Sequence, residues 1–345
     1  MPPWHLFHFN GFGLPLFLQR LQELGDFQVD GITAQTPAAS AAAVLQRAHV
    51  YQVSSQVGEL PPEYLAAAPL FDRTPRLLVV STIGAGHDTV DVAECTRRGI
   101  AAFHQAGGAN AQAVIEHTLA LMLALGRKLV QADRELHVIP DLQRAHFVGS
   151  NLRGKTVGVI GFGNVGRGLA WLCGAGFGAR VLVHTGHADN ETLAAAGAER
   201  MALDDLLAES DYVAVCCALN ARTRGLLGAA QFARMKPGAF FVTAARGGIH
   251  DEQALLEALR RGHLGGAGLD VWDMEPPPPD HPLLALPNVI GTPHIGGATI
   301  ESRTEAARLA ADQIAAALRG ERPRNLINPE AWPLFLERLA AARED

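Results

Sequence analysis

Only four cysteines occur in 345 residues, at Cys95, Cys173, Cys216 and Cys217, and their spacing matches no metal site. Cys216 and Cys217 are neighbours in a strand-like run, so their side chains are expected on opposite faces. Buried, reduced thiols in a cytoplasmic protein are the expectation. Basic clusters are also missing. The 29 Lys and Arg are dispersed and the net charge is −6, which leaves no electrostatic footprint for nucleic acid or an acidic membrane. No apolar run is long enough to span a bilayer; the most hydrophobic helix, around Ala113–Leu125, is short and carries Glu116 and His117. The opening Met-Pro-Pro-Trp-His-Leu-Phe-His-Phe lacks the basic start and continuous apolar core of a signal peptide and reads as a first β-strand. On that strand His5 and His8 fall on opposite faces, so no metal pair is expected there.

What is present describes an ordinary globular chain, 48% hydrophobic and 19% charged, long enough for two cores. Strand signals at His5–Phe9, Phe27–Gly31, Val50–Ser54 and Leu77–Ser81 alternate with helical patterns at Pro15–Leu24 and Ala38–Arg47. A long helical pattern runs from about Asn110 to His137. A second alternating series has six strands: Thr156–Ile160, Arg180–His184, Tyr212–Cys216, Phe240–Thr243, Ala267–Val271 and Val289–Gly291. An alanine-rich helix at about Thr299–Arg319 follows the last strand and is expected to return to the first series. The fold class implied is α/β, with two doubly wound parallel-sheet domains and a cleft between them. Residues 106–297 read as a Rossmann-type cofactor domain. Residues 1–105 and 298–345 read as a discontinuous, flavodoxin-like substrate domain. Pro276–Pro279 forms a stiff polyproline turn.

Gly161-Phe-Gly-Asn-Val-Gly166 follows a strand and opens a helix. Gly161 permits the tight turn, Gly163 lets backbone approach a pyrophosphate, and Gly166 allows close helix packing. Asn164 and Val165 stand in this turn ahead of the helix read from Arg167, whose N-terminal free N–H groups attract phosphate. An NAD site of this type wants a carboxylate at the end of the second strand. Here His184-Thr-Gly-His-Ala-Asp-Asn190 has no acid before Asp189 and no arginine. Thr185 and His187 are placed to meet an adenosine 2′-phosphate, and the reading leans to NADP(H). In the first domain, Ser81-Thr-Ile-Gly-Ala-Gly-His-Asp-Thr-Val-Asp91 either binds a substrate carboxylate through Gly84 and Ala85 or is a plain strand–helix turn. Asn110 either contacts ligand or caps its helix.

Arg246, Glu275 and His294 follow successive strands of the second sheet, at the carboxyl ends where ligands bind in such folds. An arginine fork grips a carboxylate as lysine cannot, a histidine carries a proton, and a neighbouring carboxylate favours the imidazolium.

With these motifs the sequence resembles the D-isomer-specific 2-hydroxyacid dehydrogenases, which include glyoxylate/hydroxypyruvate reductases and phosphoglycerate dehydrogenases. The likeness runs from about Val50 to Asn328 and is densest in Val157–Gly168, Met235-Lys-Pro-Gly238, Ala245-Arg-Gly-Gly248, Gly268-Leu-Asp270 and Pro293-His-Ile-Gly296. It implies a homodimer built through the cofactor domains, catalytic roles for Arg246, Glu275 and His294, and a nicotinamide carboxamide contact for Asp270. It also implies a cofactor wall of Cys217, Ala218, Thr223, Ala244, Ala245 and Gly296, and substrate contacts from Ser55, Gln56, Gly84, Ala85 and Asn110 beside Arg246.

The chain departs from the family at Cys216-Cys-Ala218, where His-x-Pro is common, and at Thr243-Ala-Ala-Arg246, where Asn-Thr-Ala-Arg is common. Phosphoglycerate dehydrogenases commonly have an arginine at the place of Ser54, and many add a C-terminal regulatory domain. The expectation is hydride transfer to or from C2 of a small non-phosphorylated 2-oxo or 2-hydroxy acid, with D stereochemistry implied by the resemblance and no metal. The alternatives are a nucleotide-sensing binding protein like the C-terminal-binding corepressors, or a phosphoglycerate, formate or phosphite dehydrogenase relative.

Overall fold

The computed structural model describes residues 3–10, 15–55 and 57–344. The chain forms two compact units, residues 1–110 with 298–345, and residues 111–297.

The first unit is built on five parallel strands: β1 (Trp4–Phe9), β2 (Phe27–Ile32), β3 (Val50–Val53), β4 (Val79–Thr82) and β5 (Ala101–Phe103). Their order is β2-β1-β3-β4-β5. β3, β4 and β5 are wholly buried runs, because helices cover both faces of the sheet. One face packs Phe7, Tyr51, Val53 and Val80 against Leu45 and Leu70. The other packs Leu6, Val50, Val79 and Phe103 against Phe17 and Leu21, and against Ala307, Ala310, Ala311 and Ile314 of the helix Ile300–Arg319. The alanines let that helix lie close to the sheet, and its Asp312 accepts from Arg20 at 2.8 Å.

The second unit carries seven parallel strands: β6 (Thr156–Ile160), β7 (Arg180–His184), β8 (Ala198–Arg200), β9 (Tyr212–Val215), β10 (Phe240–Thr243), β11 (Gly266–Leu269) and β12 (Val289–Gly291). Their order is β12-β11-β10-β9-β6-β7-β8. The chain reverses direction across the sheet between β6 and β9, which opens a crevice at the carboxyl ends of those strands.

Three expectations differ from this architecture. The helix read over Asn110–His137 is two helices, Gly108–Gly126 and Leu129–Leu136. Gly126 ends the first, its carbonyl accepting from Ser150 N–H at 2.8 Å, and Lys128 takes a left-handed φ of 54°. β5 and β8 were not foreseen. Each has only three residues, and β8 is an edge strand with two of them exposed, too short to show a period. β9 stops at Val215, so Cys216 and Cys217 lie just beyond the strand rather than in it.

Candidate active site

The turn after β6 has the form of a dinucleotide cradle. Gly161 adopts φ 98°, and a Cβ there would come within 2.6 Å of the Cys217 backbone nitrogen. At Gly166 a Cβ would meet the Gly161 carbonyl oxygen at 2.1 Å, so the helix Asn164–Trp171 approaches its own loop as closely as a hydrogen permits. A Cβ on Gly163, the N-cap residue, would meet nothing within 4 Å, and no side chain caps the helix there. The first-turn N–H groups therefore have no side-chain partner at an open face of the loop, which fits a pyrophosphate.

Three further segments leave the carboxyl ends of β10, β11 and β12, which are adjacent in the sheet. Arg246 follows β10; it is half-buried and donates from Nη1 to the Ala245 carbonyl at 2.7 Å. Glu275 follows β11 and His294 follows β12, and Glu275 Oε2 lies 2.6 Å from His294 Nδ1. Glu275 Oε1 accepts from Trp272 N–H at 3.1 Å, so the carboxylate is held on both sides. Its bond to Pro276 is cis. His294 has φ 54°, a left-handed conformation that is uncommon outside glycine. Its N–H donates to the Asp270 carbonyl at 2.8 Å.

The Asp270 side chain, 1% exposed, anchors the rest of this loop. Oδ1 accepts from Thr292 Oγ1 at 2.6 Å and from Ile295 N–H at 2.8 Å, while Oδ2 accepts from Gly296 N–H at 2.8 Å. His117 Nε2 lies 3.4 Å from Oδ1. Burial pushes this carboxyl up, but hydrogen bonds with His117, Thr292, Ile295 and Gly296 together hold it below its ordinary range. A second tie, invisible in sequence, joins the Arg246 and Glu275 segments. Gly248 N–H donates to Asp273 Oδ1 at 2.7 Å, and Asp273 N–H donates to Glu252 Oε1 at 2.8 Å. Glu252 Oε2 in turn lies 3.1 Å from His281 Nε2.

Residues 119–296 match the NAD-binding domain of the D-isomer specific 2-hydroxyacid dehydrogenases. The chain belongs to that family. It is 37% identical over 286 residues to glyoxylate/hydroxypyruvate reductase B of Salmonella gallinarum, covering 82% of this chain and 88% of that protein. It is 40% identical over 261 residues to D-3-phosphoglycerate dehydrogenase of Archaeoglobus fulgidus, a match to 76% of this chain that spans only 49% of the relative. Among solved structures, TT0316 protein from Thermus thermophilus superposes with a TM-score of 0.82 at 33% identity, over 94% of this chain and 99% of that one. The family's domain description names NAD, and the glycine turn is shaped for such a nucleotide.

Within this dehydrogenase fold, the residues expected to form a cofactor wall lie on the segments that follow β9, β10 and β12. Cys217 and Ala218 follow β9, with Cys217 against Gly161. Thr223 Oγ1 donates to the Ala218 carbonyl at 2.7 Å. Ala245 N–H reaches Thr243 Oγ1 at 3.3 Å, and Ala244 Cβ lies 3.7 Å from the place a Cβ would take on Gly296. Burial pushes the Cys216 and Cys217 thiols up, so neither is poised as a thiolate. Both are half-buried, whereas Cys95 and Cys173 are fully buried, and all four are free.

The chain leaving β7 makes local contacts. Thr185 Oγ1 accepts from His187 N–H at 3.3 Å, and Asp189 caps the next helix by accepting from Thr192 N–H at 2.7 Å. The segment contains no arginine of its own. Arg200 of the unforeseen β8 supplies one: its Nη1 donates to the Thr185 carbonyl at 2.8 Å, its Nη2 to the Ala188 carbonyl, and its Nε to Asn190 Oδ1 at 2.9 Å.

In the first unit, the loops after β3 and β4 lie side by side. Gly84 has φ 84°, and a Cβ there would approach Ser55 Oγ at 3.9 Å. Thr89 Oγ1 donates to the Ser54 carbonyl at 2.6 Å, and Ala85 is exposed. Gln56 lies outside the described residues. Asn110 does not cap its helix, which begins at Gly108; instead its Nδ2 donates to Ser302 Oγ at 3.4 Å. Among the described residues, no cluster of three or more His, Cys, Asp or Glu could hold a metal, and no helix is long and apolar enough to cross a membrane.

Proposed function

We infer that this chain is an NAD(P)-dependent oxidoreductase acting at C2 of a small 2-oxo or 2-hydroxy acid of the glyoxylate/hydroxypyruvate type, in the D series. The carrying observation is the 2.6 Å pair of His294 and Glu275 on the sheet that also bears the glycine turn. A bound nicotinamide supplies or accepts the hydride. Gly161, Gly163, Asn164, Val165 and Gly166 would hold the pyrophosphate, and Asp270, with one oxygen engaged only by Gly296 N–H, the carboxamide. His294 donates the proton to the substrate carbonyl oxygen through Nε2 during reduction and takes it back in oxidation. Glu275 fixes the ring with Nδ1 turned to itself and offsets the charge on the protonated imidazole. Arg246 clamps the substrate carboxylate with its planar fork. Ser55, Gln56, Gly84, Ala85 and Asn110 are assigned to the substrate.

A non-phosphorylated substrate is favoured because Ser54 carries no charge and donates to Glu59 Oε2 at 2.5 Å, so the segment presents a carboxylate where a phosphate would need a cation. NADP(H) is favoured over NAD(H) because no carboxylate precedes Asp189 after β7. Homodimerisation through the second unit is supported by the helix Leu129–Leu136, which buries no residue and exposes Leu129 and Leu136, with exposed Val138 and Val148 beyond it. A cytoplasmic setting would keep the four free thiols reduced.

The test is an initial-rate matrix of NADPH and NADH against glyoxylate, hydroxypyruvate, pyruvate, a phosphorylated 2-oxo acid and a branched 2-oxo acid. Fastest turnover with glyoxylate or hydroxypyruvate supports the reading. Tight nucleotide binding without turnover of any acid would point to a sensor instead.

A further inference from the structure

Arg200 is left over from the hydride-transfer reading, which gives it no role. It sits on β8 at the sheet edge, in register with Val183 of β7, and its guanidinium crosses to the segment that leaves β7. That segment is where folds of this type meet the adenosine ribose. Three of the five guanidinium N–H groups are engaged, by the Thr185 carbonyl, the Ala188 carbonyl and Asn190 Oδ1. One N–H remains on each Nη nitrogen, so the guanidinium keeps two donors for an anion. The side chain is exposed, so an incoming anion need not displace a packed neighbour. The nearest acid in the segment, Asp189, caps Thr192 N–H, and its carboxyl is held below the ordinary range first by that cap and in part by the Arg200 charge.

We propose that Arg200 is the cofactor-selecting residue of this enzyme, holding the 2′-phosphate of NADP(H) with Thr185 and His187 beside it. The arrangement places the cation one strand further along than the segment it serves, with its carbonyl bonds fixing both the guanidinium and the loop. A lysine at this position keeps the charge but loses the fork. The proposal rests on the NADP(H) reading above, and the experiment separates the two.

Calorimetric titration of adenosine 2′,5′-bisphosphate and 5′-AMP, which differ only in the 2′-phosphate, is carried out on the wild type, Arg200→Gln and Arg200→Lys, with NADPH and NADH rates measured alongside. The wild type is expected to bind the bisphosphate more tightly than AMP. Arg200→Gln should weaken the bisphosphate on the order of 10- to 100-fold, the worth of charged hydrogen bonds, and AMP by a clearly smaller factor, since AMP loses only the support that the guanidinium gives the loop. Arg200→Lys should retain part of the preference, and it carries the test if the glutamine variant does not fold. Equal loss for both nucleotides would show that Arg200 only shapes the loop and would overturn the proposal. A bisphosphate preference that survives in Arg200→Gln would leave the NADP(H) reading standing and remove Arg200 from it. Equal binding of the two nucleotides by the wild type would overturn both.

Discussion

Replacing Asp270 by Asn changes one atom of a buried carboxylate and tests whether that group sets the His294 loop. Asp270 accepts from Ile295 N–H, Gly296 N–H and the Thr292 hydroxyl at 2.6–2.8 Å. Asparagine keeps one acceptor oxygen, which serves one side of the loop and leaves an NH₂ facing a donor on the other. A charged hydrogen bond is worth about 1.5–3 kcal/mol, and a buried unsatisfied donor costs about 1–3 kcal/mol, so the loss is roughly 3–5 kcal/mol. Holding His294 at φ 54° costs on the order of 1–3 kcal/mol, which the loss exceeds. The loop should relax and withdraw the imidazole from Glu275. The folded-state pKa of Asp270 is depressed, so its stabilisation is fully present above the unfolded value near about 3.9 and is lost as pH falls through the folded value. At pH 7 the whole effect is visible. Melting followed by circular dichroism should fall on the order of 10 °C. Turnover at saturating cofactor should fall by at least about 100-fold, as expected for a misplaced catalytic group. A melting point within about 1 °C of the wild type, with turnover preserved, would refute the role given to Asp270.

Glu275→Gln removes the charge from the 2.6 Å contact with His294 and should lower kcat about 10- to 100-fold, with nucleotide affinity unchanged by calorimetry. Gly161→Ala forces a Cβ to within 2.6 Å of Cys217 N and a non-glycine residue to φ 98°. It should cost roughly 2 kcal/mol or more of stability and lower cofactor affinity at least about tenfold, checked by melting and nucleotide titration. His250 is 2% exposed, has no partner for either ring nitrogen, and is pushed down to about 4 by burial. The unfolded chain binds a proton there from about 6.5 downward and the folded chain only near 4, so stability falls as pH drops through that window, by roughly 3 kcal/mol in all. His250→Leu should flatten this acid limb, read as the urea midpoint at pH 5 against pH 7, with no effect above about pH 7 attributable to titration.

The elements legible in the sequence are those whose signal is local. β6, the glycine turn and the helix behind it are one contiguous pattern, and Arg246, Glu275 and His294 each stand just past a readable strand. Less visible were elements whose meaning depends on distant partners. β8 is three residues at a sheet edge, and Arg200 matters only because β8 pairs with β7 and brings its guanidinium to Thr185, fifteen residues earlier. Asp273 and Glu252 look like ordinary surface acids until the fold joins them to Gly248 and His281. Helical periodicity continues through Arg127–Lys128, so the sequence shows no break there, whereas in the fold the Ser150 N–H takes the Gly126 carbonyl.

The central claim is that His294, paired with Glu275, moves the proton at C2 of a 2-oxo acid. Its most direct test is steady-state turnover of glyoxylate and hydroxypyruvate by the wild type and His294→Ala, with nucleotide affinity measured on both. The account predicts a fall in kcat of about 10²- to 10⁴-fold with cofactor affinity nearly intact. Turnover in His294→Ala close to that of the wild type would contradict it.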